Sequence, residues 1–197
     1  MDDNPRQVPM SAEDYDARWQ ALADRGEDPH GEATLVADLL GPTAGPSRPV
    51  LDAGCGTGRV AIELAARGFA TVGVDVDSRL IDRARAKAPD LEWTVADLAE
   101  LPPAVTPGPF AAVVLAGNVM IFVARGTEAA VVSGLAARLG PGGLLVAGFQ
   151  LNGRLALDDY DAHTTAAGLT PVARWSTWGR APFTSSSDYV VAVDSKR

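Results

Sequence analysis

Three glycines and two carboxylates hold most of the chemistry that this chain's spacing announces. Gly54, Gly56 and Gly58 alternate with Cys55 and Thr57, between an apolar run ending Val50-Leu51-Asp52 and an amphipathic run opening at Arg59. A strand, a glycine turn and a helix form a nucleotide cradle. Glycine takes φ > 0 and lets a ligand approach the backbone, and the helix start offers unpaired N–H groups. Asp52, at the strand end, would repel a pyrophosphate lying on that turn. The dinucleotide spacing Gly-x-Gly-x-x-Gly also fails, because Arg59 stands where the third glycine belongs. The spacing therefore favours a nucleotide with a cationic group and counts against NAD or FAD. Asp75 closes the second apolar run, where one carboxylate can accept hydrogen bonds from both hydroxyls of a ribose.

The elements that must position these residues follow from punctuation and periodicity. Residues 1–10 are polar, with two prolines. Ser11 caps a helix expected through about Asp24, with Tyr15, Trp19 and Leu22 on one face. A second helix is expected over Glu32–Leu40, and Gly41–Pro49 reads as a linker. The division expected is a helical appendage over 1–45, followed by an α/β domain over 46–197. Within that domain strands are expected over Arg48–Asp52, Ala70–Asp77, Leu91–Leu98, Phe110–Ala116, Leu144–Phe149, Val172–Trp178 and Tyr189–Val193. Phe110–Ala116 is continuously apolar, as a strand buried on both faces must be. Thr127–Gly140 reads as a helix closed by Gly140 at its C′ position, with Pro141-Gly142-Gly143 turning into the next strand. Asp77 opens the helix after the second strand and is expected to cap it.

Asp52-Ala53-Gly54-Cys55-Gly56-Thr57-Gly58 resembles motif I of the class I S-adenosylmethionine-dependent methyltransferases. The likeness extends in recognisable motifs to about Phe149 and includes Leu139-Gly140-Pro141-Gly142-Gly143. It implies a Rossmann-like, doubly wound, mostly parallel seven-stranded sheet whose last strand is antiparallel, with an N-terminal helical lid. It implies S-adenosyl-L-methionine as cofactor, leaving as S-adenosyl-L-homocysteine. By resemblance, Asp52, Gly54, Cys55, Gly56 and Gly58 cradle it, Asp75 takes the ribose, and Val76 packs on the adenine. Asp97 would accept the adenine amine and the Leu98 N–H would donate to the ring. Ala116 and Asn118 correspond to motif IV, between the methionine part and the acceptor. The lid would supply substrate contacts from Tyr15, Trp19 and His30.

Each of these residues has a plainer reading. Tyr15 and Trp19 serve equally as glue between helix and core, Asp97 as a turn aspartate, and Asn118 as a loop cap. Methyl transfer from a sulfonium is an in-line displacement that needs alignment above all. A general base is added only where the acceptor must lose a proton. His30 and His163 are the side chains that titrate near neutral pH unaided, and His30, in the lid loop, is the better placed. Asn118 can orient a nucleophile without removing a proton.

The 197 residues suit one domain with a small addition, and 17 basic against 25 acidic side chains give a net charge of −8. Without a basic field, nucleic acid is not the expected substrate, and a small molecule is. Cys55 is the single cysteine, so no disulfide or multi-cysteine metal site is expected within the chain. No spaced carboxylate cluster implies a metal. Neither a signal peptide nor a membrane span is read, so the expectation is a cytoplasmic monomer or homodimer. Two other functions remain compatible with the motifs: a non-catalytic regulatory protein that binds S-adenosylmethionine or S-adenosylhomocysteine, and an NAD(P)-dependent oxidoreductase.

Overall fold

The computed structural model describes residues 17, 19, 21, 24–26, 28–41, 49–102, 109–151 and 153–197. Strands β1 (Val50–Ala53) and β4 (Phe110–Leu115) are buried at every residue. That is why both read as unbroken apolar runs: a central parallel strand has no solvent face. Around them lie β2 (Thr71–Asp75), β3 (Glu92–Val95), β5 (Leu139–Gln150), β6 (Leu169–Trp175) and β7 (Tyr189–Lys196). The sheet order is β3-β2-β1-β4-β5-β7-β6. Strands β1 to β5 pair in parallel, and β7 runs antiparallel to both its neighbours. The fold is thus the expected α/β Rossmann-like one, with seven strands and the last antiparallel. Strand order reverses between β1 and β4, and in such sheets ligands bind outside the carboxyl ends at that switch point.

Helices α1 (Gly31–Leu40), α2 (Arg59–Ala66) and α3 (Ser78–Lys87) cover one face. Ala33 and Val36 of α1 bury against Val50, Ala112 and Val114 together with Val60 and Leu64 of α2. Ile81 and Ala84 of α3 pack on Trp93 and Cys55. The other face carries α5 (Glu128–Arg138) and α6 (Leu157–Ala166), whose Leu135 and Tyr160 join Phe110, Leu145 and Phe149. A one-turn helix α4 (Val119–Phe122) follows β4. No helix among the described residues is long and apolar enough to cross a membrane.

The division at 45/46 does not separate α1 from the domain. Ala33, Leu35 and Val36 are buried, Leu35 against Val146, Val191 and Val193, so α1 is a layer of the sandwich rather than an appendage. Of the expected helix 11–24, Ala17, Trp19, Ala21 and Asp24 are described and all are helical; Tyr15 and Leu22 lie outside the described residues. So do most of the linker and, in the following loop, residues 103–108.

The expected helix end at Gly140 is also corrected. Leu139 is extended at φ −73°, ψ 142°, pairs with Phe110 and is buried, so β5 begins there. Positive φ falls at Gly142 instead. The helix's last carbonyls need no left-handed residue, because Lys196 Nζ donates to Ala136 and Leu139 oxygens at 2.9 and 2.8 Å. The far edge strand β6 contains Pro171, and its register with β7 shifts between Pro171 and Ala173.

Candidate functional site

At the carboxyl ends of β1 to β4 the chain folds around a cleft of about 400 Å³. Its floor is the glycine turn. Gly54, Gly56 and Gly58 hold φ of 78°, 54° and 86°, the left-handed region that side chains resist. Space is short as well: a Cβ at Gly54 would lie 2.5 Å from Val119 Cγ2, and one at Gly58 would lie 2.5 Å from Trp93 Cη2.

Asp75 lines the cleft beside the turn. Its Oδ2 accepts the Gly56 N–H at 2.8 Å and its Oδ1 the Asp77 N–H at 2.9 Å. Each oxygen keeps a second lone pair, so the carboxylate fixes the turn and can still receive two hydroxyls. Beside it Val76 is 68% exposed, and Phe122, also lining the cleft, is 65% exposed. Apolar side chains this bare in a cleft make a surface for a flat ring. Asp97 and the buried Leu98 line the same wall. Asp97 Oδ1 accepts the Ala99 N–H at 2.9 Å, so the residue is a turn cap and a cleft acceptor together. Ala116, Gly117 and Val119 close the side toward β4. Asp77 lies off the cleft and caps α3 by accepting the Arg79 N–H.

Two expected cradle side chains turn inward. Asp52 is 1% exposed and accepts the Ala61 N–H at 3.0 Å, bracing α2 against β1. Burial pushes its carboxyl up to about 7, with the Ala61 hydrogen bond and Arg59 pulling the other way. Cys55 is buried with Trp93, Ile81 and Ala84, and burial raises its thiol well above the ordinary range. Neither side chain lines the cleft. The alternation of β1 explains Asp52: Leu51 and Ala53 join the core under α5, which leaves Asp52 facing α2.

A second cavity, of about 560 Å³, meets the first at Gly117, which lines both. Trp19, Trp178 and Tyr189 give it aromatic walls, and Asp28, Glu32 and Asn118 add polar groups. The wall is held by Gly148 on β5: a Cβ there would lie 2.5 Å from Tyr189 Oη and nearer still to Trp178 Cζ2. Trp178 Nε1 donates to Tyr189 Oη at 3.1 Å. Burial raises the Tyr189 phenol to about 12, so at neutral pH it keeps its proton.

Asn118 takes φ 71° and its Oδ1 accepts the Gln150 N–H at 2.8 Å, tying the loop after β4 to the end of β5. It lines the second cavity and not the first. His30 does not line either cavity. Its Nδ1 lies 3.7 Å from Glu63 Oε2, which places the ring against α2. Trp19 does reach the second cavity.

Sequence reasoning treated Arg59 only as a missing glycine. In the fold its guanidinium binds both Glu32 oxygens, at 2.8 and 2.6 Å, donates to the Pro29 carbonyl, and lies 3.7 Å from the centre of the Trp19 ring. A cation opposes the dipole at a helix start, and Glu32 offsets it. The signal available was the pairing of a lone acid with a lone arginine, Glu32 and Arg59, at the starts of two helices.

The fold and this cleft define a doubly wound α/β protein whose β2 carboxylate lines a cleft with an apolar platform beside it, a set that suits the groups of S-adenosylmethionine. Residues 50–143 match the methyltransferase domain family. The crystal structure of a TehB-like S-adenosylmethionine-dependent methyltransferase from Corynebacterium glutamicum is 34% identical, with a TM-score of 0.83 over 94% of this chain and 98% of that one. The chain belongs to the class I S-adenosylmethionine-dependent methyltransferases. Among curated proteins, the ubiquinone biosynthesis O-methyltransferase of Alkalilimnicola ehrlichii is 35% identical over 91 residues, 41% of this chain. That match spans 36% of the relative, and a separate match, 52% identical over 40 residues, spans 18% of the magnesium-protoporphyrin O-methyltransferase of Rhodobacter capsulatus. An S-adenosylmethionine-bound amino pentose methyltransferase from Micromonospora echinaspora is 21% identical with a TM-score of 0.73 over 93% of this chain and 96% of its own, and shares the fold.

Proposed function

We propose that the chain transfers the methyl group of S-adenosylmethionine to a small-molecule acceptor held in the second cavity. The observation that carries this is the meeting of the two cavities at Gly117. A nucleotide seated over Asp75, Val76 and Phe122 and an acceptor seated under Trp178 would face each other across a residue with no side chain. The sulfonium supplies an activated methyl group, and the protein's own work is to bind, align and keep water out. Asp75 and the glycine turn hold the nucleoside end, Val76 and Phe122 flank its ring, and the Asp97 carboxylate with the Leu98 N–H reads the base edge. Asn118 fixes the loop between the cavities through its bond to Gln150. Alignment of two reactants can supply roughly 7–11 kcal/mol of the barrier without any proton transfer by the enzyme. His30, on the α2 side, has no part in this.

The test is calorimetric titration with S-adenosylhomocysteine, with NADH as control. Binding of the first and not the second is expected, and Asp75→Ala should weaken it by about 1–3 kcal/mol, the cost of losing hydrogen bonds to a charged acceptor. Affinity unchanged in Asp75→Ala would refute the placement of the ribose. Binding of NADH alone would refute the methyltransferase reading itself. Transfer of a methyl group to any acceptor, slowed in Asp75→Ala when S-adenosylmethionine is subsaturating, separates an enzyme from a regulatory binder.

A further inference from the structure

We infer that the methyl acceptor is an amine carried on a flat apolar body. The inference rests on the methyltransferase reading and extends it to the chemistry of the second cavity. Among the described residues no lysine, arginine or histidine lines this cavity, while two carboxylates, Asp28 and Glu32, do. Glu32 is already paired with Arg59. Asp28 forms no ion pair among the described residues; its Oδ1 accepts the His30 N–H at 2.8 Å, and the side chain is exposed at the cavity's edge.

The walls point the same way. Indole and phenol faces attract an ammonium through their quadrupoles and stack on flat apolar bodies; Trp178 and Tyr189 present two such rings, while Trp19 already carries the Arg59 guanidinium. Gly148 shows that this wall is built and not incidental, since any side chain there would collide with both Trp178 and Tyr189. An anionic acceptor would meet the Asp28 charge, and the Arg59 guanidinium behind the wall is already held by Glu32 and Trp19. The volume, about 560 Å³, lies within the range of small-ligand sites.

The step balances without a further reactant. The bound ammonium gives one proton to solvent at the open Asp28 edge, which restores the nitrogen lone pair. That pair forms a bond to the methyl carbon as the carbon–sulfur bond breaks. Its electrons stay on sulfur, leaving S-adenosylhomocysteine, and the nitrogen becomes a methylated ammonium. The lining offers an exposed carboxylate and solvent for the proton, and amides and a phenol to orient the nitrogen.

The experiment uses the full chain loaded with S-adenosylhomocysteine and four probes in matched pairs: benzylamine against benzoate, and tryptamine against indole-3-acetate. Binding is read by calorimetry, and methyl transfer from S-adenosylmethionine by the mass of the product. At least one amine is expected to bind and be methylated while its carboxylate partner does neither. Asp28→Asn keeps an acceptor for the His30 N–H and should weaken amine binding about tenfold or more with S-adenosylhomocysteine affinity unchanged. Preference for a carboxylate, equal binding within a pair, binding of no probe by the loaded protein, or amine binding untouched in Asp28→Asn would each overturn the assignment. Failure to bind S-adenosylhomocysteine overturns instead the methyltransferase reading beneath it.

Discussion

Replacing Asp52 by asparagine should make the protein more stable at pH 8 and change little at pH 5. The buried carboxyl has a folded pKa near 7 against 3.8 for an exposed aspartate, chiefly because burial penalises its charged form. Between those values the folded chain holds a proton that the unfolded chain has released. Stability therefore falls as pH rises through this window and stays at its lower level above it. From pH 5 to the folded pKa is about two units, or roughly 2–3 kcal/mol at about 1.4 kcal/mol per unit. Asparagine keeps an oxygen for the Ala61 N–H and has nothing to ionise. Every other titrating group is common to both proteins, so subtracting their unfolding free energies at each pH isolates position 52. The assay is urea or thermal unfolding of both proteins at pH 5, 6, 7 and 8. The advantage of Asp52→Asn should grow across that series to about 5–10 °C in Tm, given about 2–4 °C per kcal/mol for a chain of this size. Parallel curves would refute the reasoning, and would mean that Arg59 and the Ala61 hydrogen bond outweigh the burial.

Arg59→Ala should destabilise the fold by roughly 3–5 kcal/mol, because it leaves Glu32, 7% exposed, without its partner; chemical denaturation measures this, and Glu32→Gln in the same chain should recover part of the loss. Gly148→Ala should displace Trp178 and Tyr189 and abolish acceptor turnover while S-adenosylhomocysteine still binds in calorimetry. Loss of both bindings would show that the two cavities do not separate energetically.

The glycine turn, the strands and the Asp75 carboxylate were legible in the sequence because local rules govern them. Alternation, glycine conformation and a carboxylate at a strand tip do not depend on distant neighbours. Asp52 and Cys55 were misplaced because motif spacing locates the backbone of the turn, whereas the direction of each side chain follows from the pleat of β1 and from what α2 and Trp93 present to it. His30 looked suited to a base from its residue type and its loop, yet the start of α1 aims it at Glu63. Gly140 was read as a helix end because glycine commonly serves there; the carbonyls it would have relieved are met by Lys196, 56 positions further along the chain. Trp178 and Tyr189 carried no signal at all, since the wall they form exists only through the absent side chain of Gly148 on another strand.

The sheet's outer boundary also bears on how copies of the molecule meet. A parallel core with two free margins invites a neighbour to add a strand. One margin is β3, only four residues long. The other, β6, carries Val172 more than half exposed, but Pro171 brings no donor and the ladder slips beside it. A second chain approaching this margin finds no continuous row of hydrogen-bonding groups to copy, so the fold is guarded against edge-to-edge aggregation at the strand that most needs it.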